Sequence, residues 1–267
     1  MNRIDKTLAE LNKSNKKMLS SYITAGDPHK RLTLALMHAL VQEGVDILEI
    51  GIPFSDPMAE GLVIQAAMER ALLQGINIDD VFAIVAEFRE SNQHTPIILM
   101  GYLNPVEQYG YEAFAKKASE IGVDGTILVD LPPEESEAIS TIWLKQGLYS
   151  IYLCSPTTSA SRMEKINQQA NGYLYFVSLK GVTGSAAFDL ATVKENYLVR
   201  KQQSKLPLMV GFGIKTADMA KQVAQFADGV IVGAALIEAL YQAYQTKPET
   251  TLSATVLLGE MRKAIDN

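Results

Sequence analysis

Hydrophobic positions along the chain fall into two rhythms. Short apolar runs recur at 19–24, 47–51, 97–102, 126–130, 150–153, 174–178, 208–211 and 230–233. Several of these are apolar throughout rather than alternating, the pattern of parallel strands covered on both faces. Helical spacing fills the gaps. Leu32, Ala35, Leu36, Ala39 and Leu40 run into a stop at Gly44, and Ala113, Phe114, Lys117, Ala118 and Ile121 run into Gly122. Pro132-Pro133-Glu134-Glu135 reads as a helix start, with proline and acidic residues in the first turn. Thr216-Ala217-Asp218 opens a helix expected to reach Phe226. The long gap after the second run holds two helical patterns, 66–73 and 81–88, and further helices are expected at 4–11 and 252–265.

These units number about eight, as a closed (β/α)8 barrel requires. The expectation is an α/β fold: a single barrel domain over 1–267 with extra N-terminal and loop helices. A doubly wound open sheet is the competing architecture. It is weakened because Ala25-Gly26-Asp27-Pro28, not G-x-G-x-x-G, follows the first run.

Composition narrows the function. The 267 residues are 48% hydrophobic with a net charge of −6, which supplies no electrostatic footprint for nucleic acid or an anionic membrane. An anionic substrate would need backbone N–H groups and helix N-termini. One cysteine, Cys154, excludes an intrachain disulfide and suits a reducing, cytoplasmic setting. No apolar run approaches a membrane span, and the first twenty residues lack the apolar centre of a signal peptide. His29, His38 and His94 have no ligand-like spacing, so no metal is expected.

Glu49 interrupts the apolar run Ile47-Leu48-Glu49-Ile50-Gly51. A lone carboxylate in a buried strand requires either a partner or a chemical use. No Arg or Lys lies in the strand runs, so a charged partner would come from a loop. The position, at the C-terminal end of a strand, is where α/β barrels keep catalytic groups. Burial there raises a carboxyl pKa toward neutrality, which suits general acid–base work. Asp56 and Glu60 follow in the next loop, and Glu60 is a second carboxyl that is either catalytic or simply solvated. Glycine-bearing segments follow the last three strands: Gly181-Val182-Thr183-Gly184, Gly211-Phe212-Gly213 and Gly233-Ala234. Glycines let a backbone approach an anion closely, and this end of the barrel commonly binds phosphate. Tyr22, Tyr102, Val129, Leu153, Tyr175 and Phe212 stand at strand ends and would line an apolar substrate pocket.

The chain closely resembles the tryptophan synthase alpha subunit family over nearly its whole length. The resemblance is carried by Leu48-Glu49-Ile50-Gly51-Ile52-Pro53-Phe54-Ser55-Asp56-Pro57, Ile64-Gln65, Met100-Gly101-Tyr102-Leu103-Asn104-Pro105, Asp130-Leu131-Pro132, Gly181-Val182-Thr183-Gly184 and Gly211-Phe212-Gly213-Ile214. It implies a TIM barrel that cleaves indole-3-glycerol phosphate to indole and glyceraldehyde 3-phosphate by a retro-aldol reaction. In such a lyase Glu49 is the general acid–base. Glu60 occupies the place of an aspartate that faces the indole N–H. Tyr22, Tyr102, Tyr175 and Phe212 contact the substrate. Thr183, Gly184, Gly213, Gly233 and Ala234 surround its phosphate, and loops around Asp56 and Thr183 close over it.

The resemblance further implies a beta subunit that carries pyridoxal phosphate, receives indole in an α2β2 assembly and contacts the Asp56 loop; the chain itself needs no cofactor. Three residues depart from the pattern. Glu60 and Leu62 stand for aspartate and proline, and Ala234 stands where serine is frequent. The first two leave open an alternative: a catalytically impaired subunit that acts mainly as an activator of its partner.

Overall fold

The computed structural model describes residues 1–178, 189–211 and 213–267. Nine parallel strands are ordered β5-β4-β3-β2-β1-β9-β8-β7-β6. They are β1 Met18–Thr24, β2 Ile47–Gly51, β3 Ile97–Gly101, β4 Gly125–Leu128, β5 Tyr149–Ser150, β6 Tyr152–Cys154, β7 Leu174–Val177, β8 Leu208–Gly211 and β9 Gly229–Val232. The two ends of that order, β5 and β6, are separated only by Ile151, whose N–H still donates to Thr126 at 2.9 Å. They form one stave, so eight staves close a (β/α)8 barrel. The expected run 150–153 is therefore one stave interrupted at its middle.

Helices surround the barrel: α1 Arg3–Lys13, α2 Thr33–Gln42, α3 Leu62–Leu73, α4 Ile78–Ser91, α5 Leu103–Tyr109, α6 Tyr111–Glu120, α7 Glu137–Lys145, α8 Ala160–Gln169, α9 Leu190–Gln203, α10 Ala217–Ala224, α11 Ala234–Thr246 and α12 Val256–Asp266. Two helices do fill the gap between β2 and β3. The second, α4, opens on a capping box: Asn77 accepts from the N–H groups of Asp79 and Asp80, and the Asp80 carboxylate accepts from the Asn77 N–H.

Three expectations need correction. The expected helix start at Pro132 is a turn, with the Glu135 N–H bonded to the Pro132 carbonyl at 3.0 Å, and α7 begins only at Glu137. Pro133 disfavours helical geometry at Pro132, so the double proline delays the helix. The short helix α5 was not expected from the periodicity. The C-terminal helical stretch is divided, with a 3-10 segment Pro248–Thr255 preceding α12.

The N-terminal floor of the barrel is locked by aspartates that precede strands. Asp124 accepts from Arg89 (2.9 Å), Arg3 (3.0 Å) and the Ile97 N–H (2.8 Å). Asp46 accepts from the Leu19 N–H (2.8 Å) and Arg262 (3.1 Å). Asp228 accepts from the Leu208 N–H (2.7 Å) and Lys201 (2.6 Å). Each bond ties the entry of one strand to its neighbour, which fixes register and hence the positions of side chains at the opposite mouth. Among the described residues, no helix is long and apolar enough to cross a membrane.

Candidate active site

Register places Tyr22 beside Glu49 and Glu49 beside Ile98. Glu49 is fully buried. Its Oε1 accepts from the Tyr173 hydroxyl at 2.8 Å and from Ser20 Oγ at 3.0 Å, while Oε2 has no partner among the described residues. The expected alternative of a cationic loop partner is not realised among the described residues; the partners are neutral hydroxyls. Burial raises the Glu49 pKa to about 7, and the two hydroxyls oppose that rise. The carboxyl therefore exchanges protons near neutrality, the range that serves both acid and base steps.

Glu60 is not the solvated loop acid that its position allows. It is only 5% exposed and its side chain accepts no hydrogen bond among the described residues. Burial alone raises its pKa to about 7. The loop that carries it is fastened to the barrel by Tyr102, whose hydroxyl accepts from the Ala59 N–H at 3.0 Å, and by Gln65, which donates to the Glu60 carbonyl at 2.8 Å. Phe54 packs on the Tyr102 ring at 5.2 Å. Leu62, one of the departures, is the first residue of α3 and is exposed. Asp56 is exposed at the loop tip, where Ser55 Oγ donates to it at 2.5 Å.

The tyrosines converge on the same space. Tyr175 has its pKa raised by burial of the hydroxyl, then by the facing Glu49, Glu60 and Tyr22. Tyr22 is raised chiefly by burial and then by Glu60, and its hydroxyl pairs with Thr24 Oγ1 at 3.1 Å. Two strand-end glycines make room for these rings. A Cβ at Gly51 would overlap the Tyr22 hydroxyl, and one at Gly211 would overlap Tyr175. These glycines serve the apolar pocket directly, beyond any role in loop geometry. Val129 and Leu153 are partly buried.

Gly233 caps α11 and packs on Tyr22, and Ala234 is the first residue of that helix. The N–H groups of the helix start, with no side-chain cap among the described residues, therefore lie beside Tyr22, a suitable anchor for an anion. Gly213 follows β8 with φ at +84°, a conformation that favours glycine. Thr183, Gly184 and Phe212 lie outside the described residues. The Cys154 thiol is buried, and that burial pushes its pKa up to about 12, which leaves it unreactive. Among the described residues, no cluster of three or more His, Cys, Asp or Glu could hold a metal ion.

Sequence reasoning missed Ser20, Thr24 and Tyr173. The signal was available in the two-residue period of strands. Ser20, Tyr22 and Thr24 alternate on one face of β1, and Tyr173 lies two residues before Tyr175. A polar residue on the face that carries Glu49 is the natural place to look for its partner.

Comparison with known proteins agrees with this arrangement. A family profile described as tryptophan synthase alpha chain matches residues 8–266. The chain belongs to the tryptophan synthase alpha chain family. A tryptophan synthase alpha chain from Legionella pneumophila subsp. pneumophila is 67% identical, over 100% of this chain and 98% of the relative. One from Nitrosococcus oceani is 48% identical, also over 100% and 98%. The crystal structure of tryptophan synthase subunit alpha from Legionella pneumophila str. Paris superimposes with a TM-score of 0.95 at 64% identity, covering 100% of this chain and 99% of that one. The activity of a tryptophan synthase alpha chain is the lyase reaction that the motifs implied: cleavage of indole-3-glycerol phosphate to indole and glyceraldehyde 3-phosphate in tryptophan biosynthesis. Identity at this level over the full length favours the lyase over the impaired activator.

Proposed function

We propose that Glu49 is the general acid–base of this lyase, that Glu60 is its electrostatic partner, and that the α11 start holds the substrate phosphate. The observation that carries the reading is the asymmetry of Glu49: one oxygen is bonded to two hydroxyls and the other has no partner among the described residues. In this reading the free Oε2 protonates the indole carbon that bears the glycerol chain. The ring nitrogen gains positive charge, which an ionised Glu60 stabilises in a site of low dielectric. Loss of the glycerol hydroxyl proton to the Glu49 carboxylate then accompanies cleavage of the carbon–carbon bond. Indole leaves with the carbon protonated, the aldehyde carries the phosphate away, and Glu49 regains its proton.

The indole ring would lie among Tyr22, Tyr102, Tyr175 and Phe212. The phosphate would lie against Gly213, Gly233 and Ala234 with Thr183 and Gly184. Ala234 offers no hydroxyl, so backbone N–H groups would carry the affinity. The test is indole release from indole-3-glycerol phosphate with a beta subunit present. Glu49→Gln should abolish it, and an unchanged rate would overturn the assignment.

The same reading extends to the assembly. Beside the exposed Asp56 loop, Phe54, Pro57, Leu62 and Leu73 line a groove of about 600 Å³. Met58, Leu62 and Leu73 are each at least 80% exposed, an unusual amount of apolar side chain in one neighbourhood. We assign this rim to a beta subunit that carries pyridoxal phosphate, in an α2β2 heterotetramer in the cytoplasm. The isolated chain, itself without cofactor, should release indole slowly and accelerate when the beta subunit is added. We further read residues 1–267 as one domain, because α1 and α12 are both bonded into the barrel floor through Arg3 and Arg262.

A further inference from the structure

The structure assigns Ser20 as a positioning residue for Glu49: its hydroxyl holds Oε1 toward the barrel interior, presents Oε2 to the substrate, and turns its one proton with the charge of the carboxyl. The assignment rests on the reading of Glu49 as acid–base.

Ser20 Oγ is fully buried on β1 and reaches Glu49 Oε1 at 3.0 Å and the Ile47 carbonyl at 3.2 Å, with the Tyr173 hydroxyl, itself committed as a donor to Oε1, also in contact. A serine hydroxyl carries one proton and rotates freely, so it serves one of these acceptors at a time. Tyr173, the other donor to Oε1, is a phenol held neutral by burial and by the facing Glu49. It keeps its proton and donates to the carboxyl throughout. Ser20 is the partner with a choice.

When Glu49 is ionised, a charge-assisted bond to Oε1 is roughly twice as strong as one to a neutral carbonyl. The Ser20 proton then points at the carboxylate. When Oε2 is protonated, that advantage vanishes and the Ile47 carbonyl competes. The change needs only a hydroxyl rotation, with no heavy atom displaced. A group that must alternate between acid and base within one turnover is thereby supported in both states. A serine serving only the strand pair would reach Ile47 alone.

Ser21 supplies the contrast. It is equally buried one residue further along β1, yet its Oγ has no hydrogen-bond partner among the described residues. Successive strand residues face opposite ways, so Ser21 points away from Glu49. A buried serine on this strand does not by itself produce the contact.

The experiment titrates the Glu49 carboxyl by infrared difference spectroscopy against Glu49→Gln, and records pH profiles of kcat with a beta subunit. In Ser20→Ala the Glu49 titration should move up by about one pH unit, since a bond to a charged group is lost while Tyr173 remains. The limb of the kcat profile that belongs to Glu49 should move with it, and KM should stay within about twofold. Ser20→Cys keeps the volume with a weak donor; it should shift by roughly half as much and covers the case in which Ser20→Ala fails to fold. Ser21→Ala should leave both readouts in place. A Glu49 titration that stays within about 0.2 unit in the Ser20 variants, or a loss confined to KM, overturns the assignment. The outcome is separable from the acid–base reading. An unchanged rate in Glu49→Gln refutes that reading, whereas inactive Glu49→Gln with an unmoved titration in Ser20→Ala refutes only the role of Ser20.

Discussion

The two ends of the barrel treat buried carboxyl groups differently. On the floor, Asp124 is buried and Asp46 partly buried, and desolvation raises the pKa of both, that of Asp46 to about 6; a backbone N–H opposes the rise at each, followed by cations, Arg89 and Arg3 at Asp124 and Arg262 at Asp46. Each also accepts a backbone N–H from a neighbouring strand. At the mouth, Glu49 is opposed only by hydroxyls and Glu60 by nothing among the described residues. Desolvation is the leading cause at both ends, and the compensation differs in kind. Floor carboxylates are ion-paired and serve register. Mouth carboxyls have no cation beside them among the described residues, so they are left able to take up and release protons near neutrality.

The comparison can be broken in order of effect. Removal of the mouth carboxyl in Glu49→Gln should lower indole release by about 10²–10⁴-fold, the usual contribution of a general acid–base, while the protein remains folded. Asp124→Ala should do the reverse. It strands Arg89, which is only 7% exposed, and should lower unfolding free energy by roughly 3–5 kcal/mol in chemical denaturation, with turnover per folded molecule little changed. If Asp124→Ala lost activity rather than stability, the division between floor and mouth would fail.

The stability side of Glu49 has a defined pH window. Its folded pKa is raised from 4.5 to about 7, so the folded state binds the proton more tightly. Stability is therefore greatest below about pH 4.5, falls as pH rises through the window, and is fully diminished above about 7. Glu49→Gln carries no such charge. It should match the wild type near pH 4 and exceed it at pH 8 by on the order of 3 kcal/mol in denaturant titrations. An equal gain at both pH values would mean that packing, not the charge, is responsible. The smallest effect concerns Glu60. Its carboxyl is seated at glutamate length in a loop pinned by Tyr102, so Glu60→Asp should lower the rate about tenfold through misplacement. A tenfold rise would instead revive the impaired-subunit reading.

Much of the fold was legible because each stave is a continuous apolar run with a helix behind it. β2 and β8 match their expected bounds, since Glu49 and the terminal glycines punctuate them clearly. The stave broken at Ile151 was not legible as two pieces, because the break depends on pairing with β4 on one side and β7 on the other. Helix α7 was misplaced because acidic residues after a proline suggest a helix start, while the second proline forbids one at Pro132. Glu49 was legible as an anomaly of charge in an apolar strand. Its partners were not, because Ser20 within β1 and Tyr173 just before β7 are ordinary residues whose importance comes from the closure of the barrel. The burial of Glu60 likewise depends on how Tyr102 and Gln65 hold the loop.

The floor carries one more consequence. Asn2 bonds the carbonyls of Asp124 and Gly147, and Arg262 bonds the Lys17 carbonyl from the last helix. Both the first and the last residues of the described chain therefore sit on the face opposite the mouth. An affinity tag, a fluorescent fusion or a surface tether attached at either end would point away from the substrate entrance and the apolar rim. The molecule is thus suited to oriented immobilisation with its reactive face toward the solution.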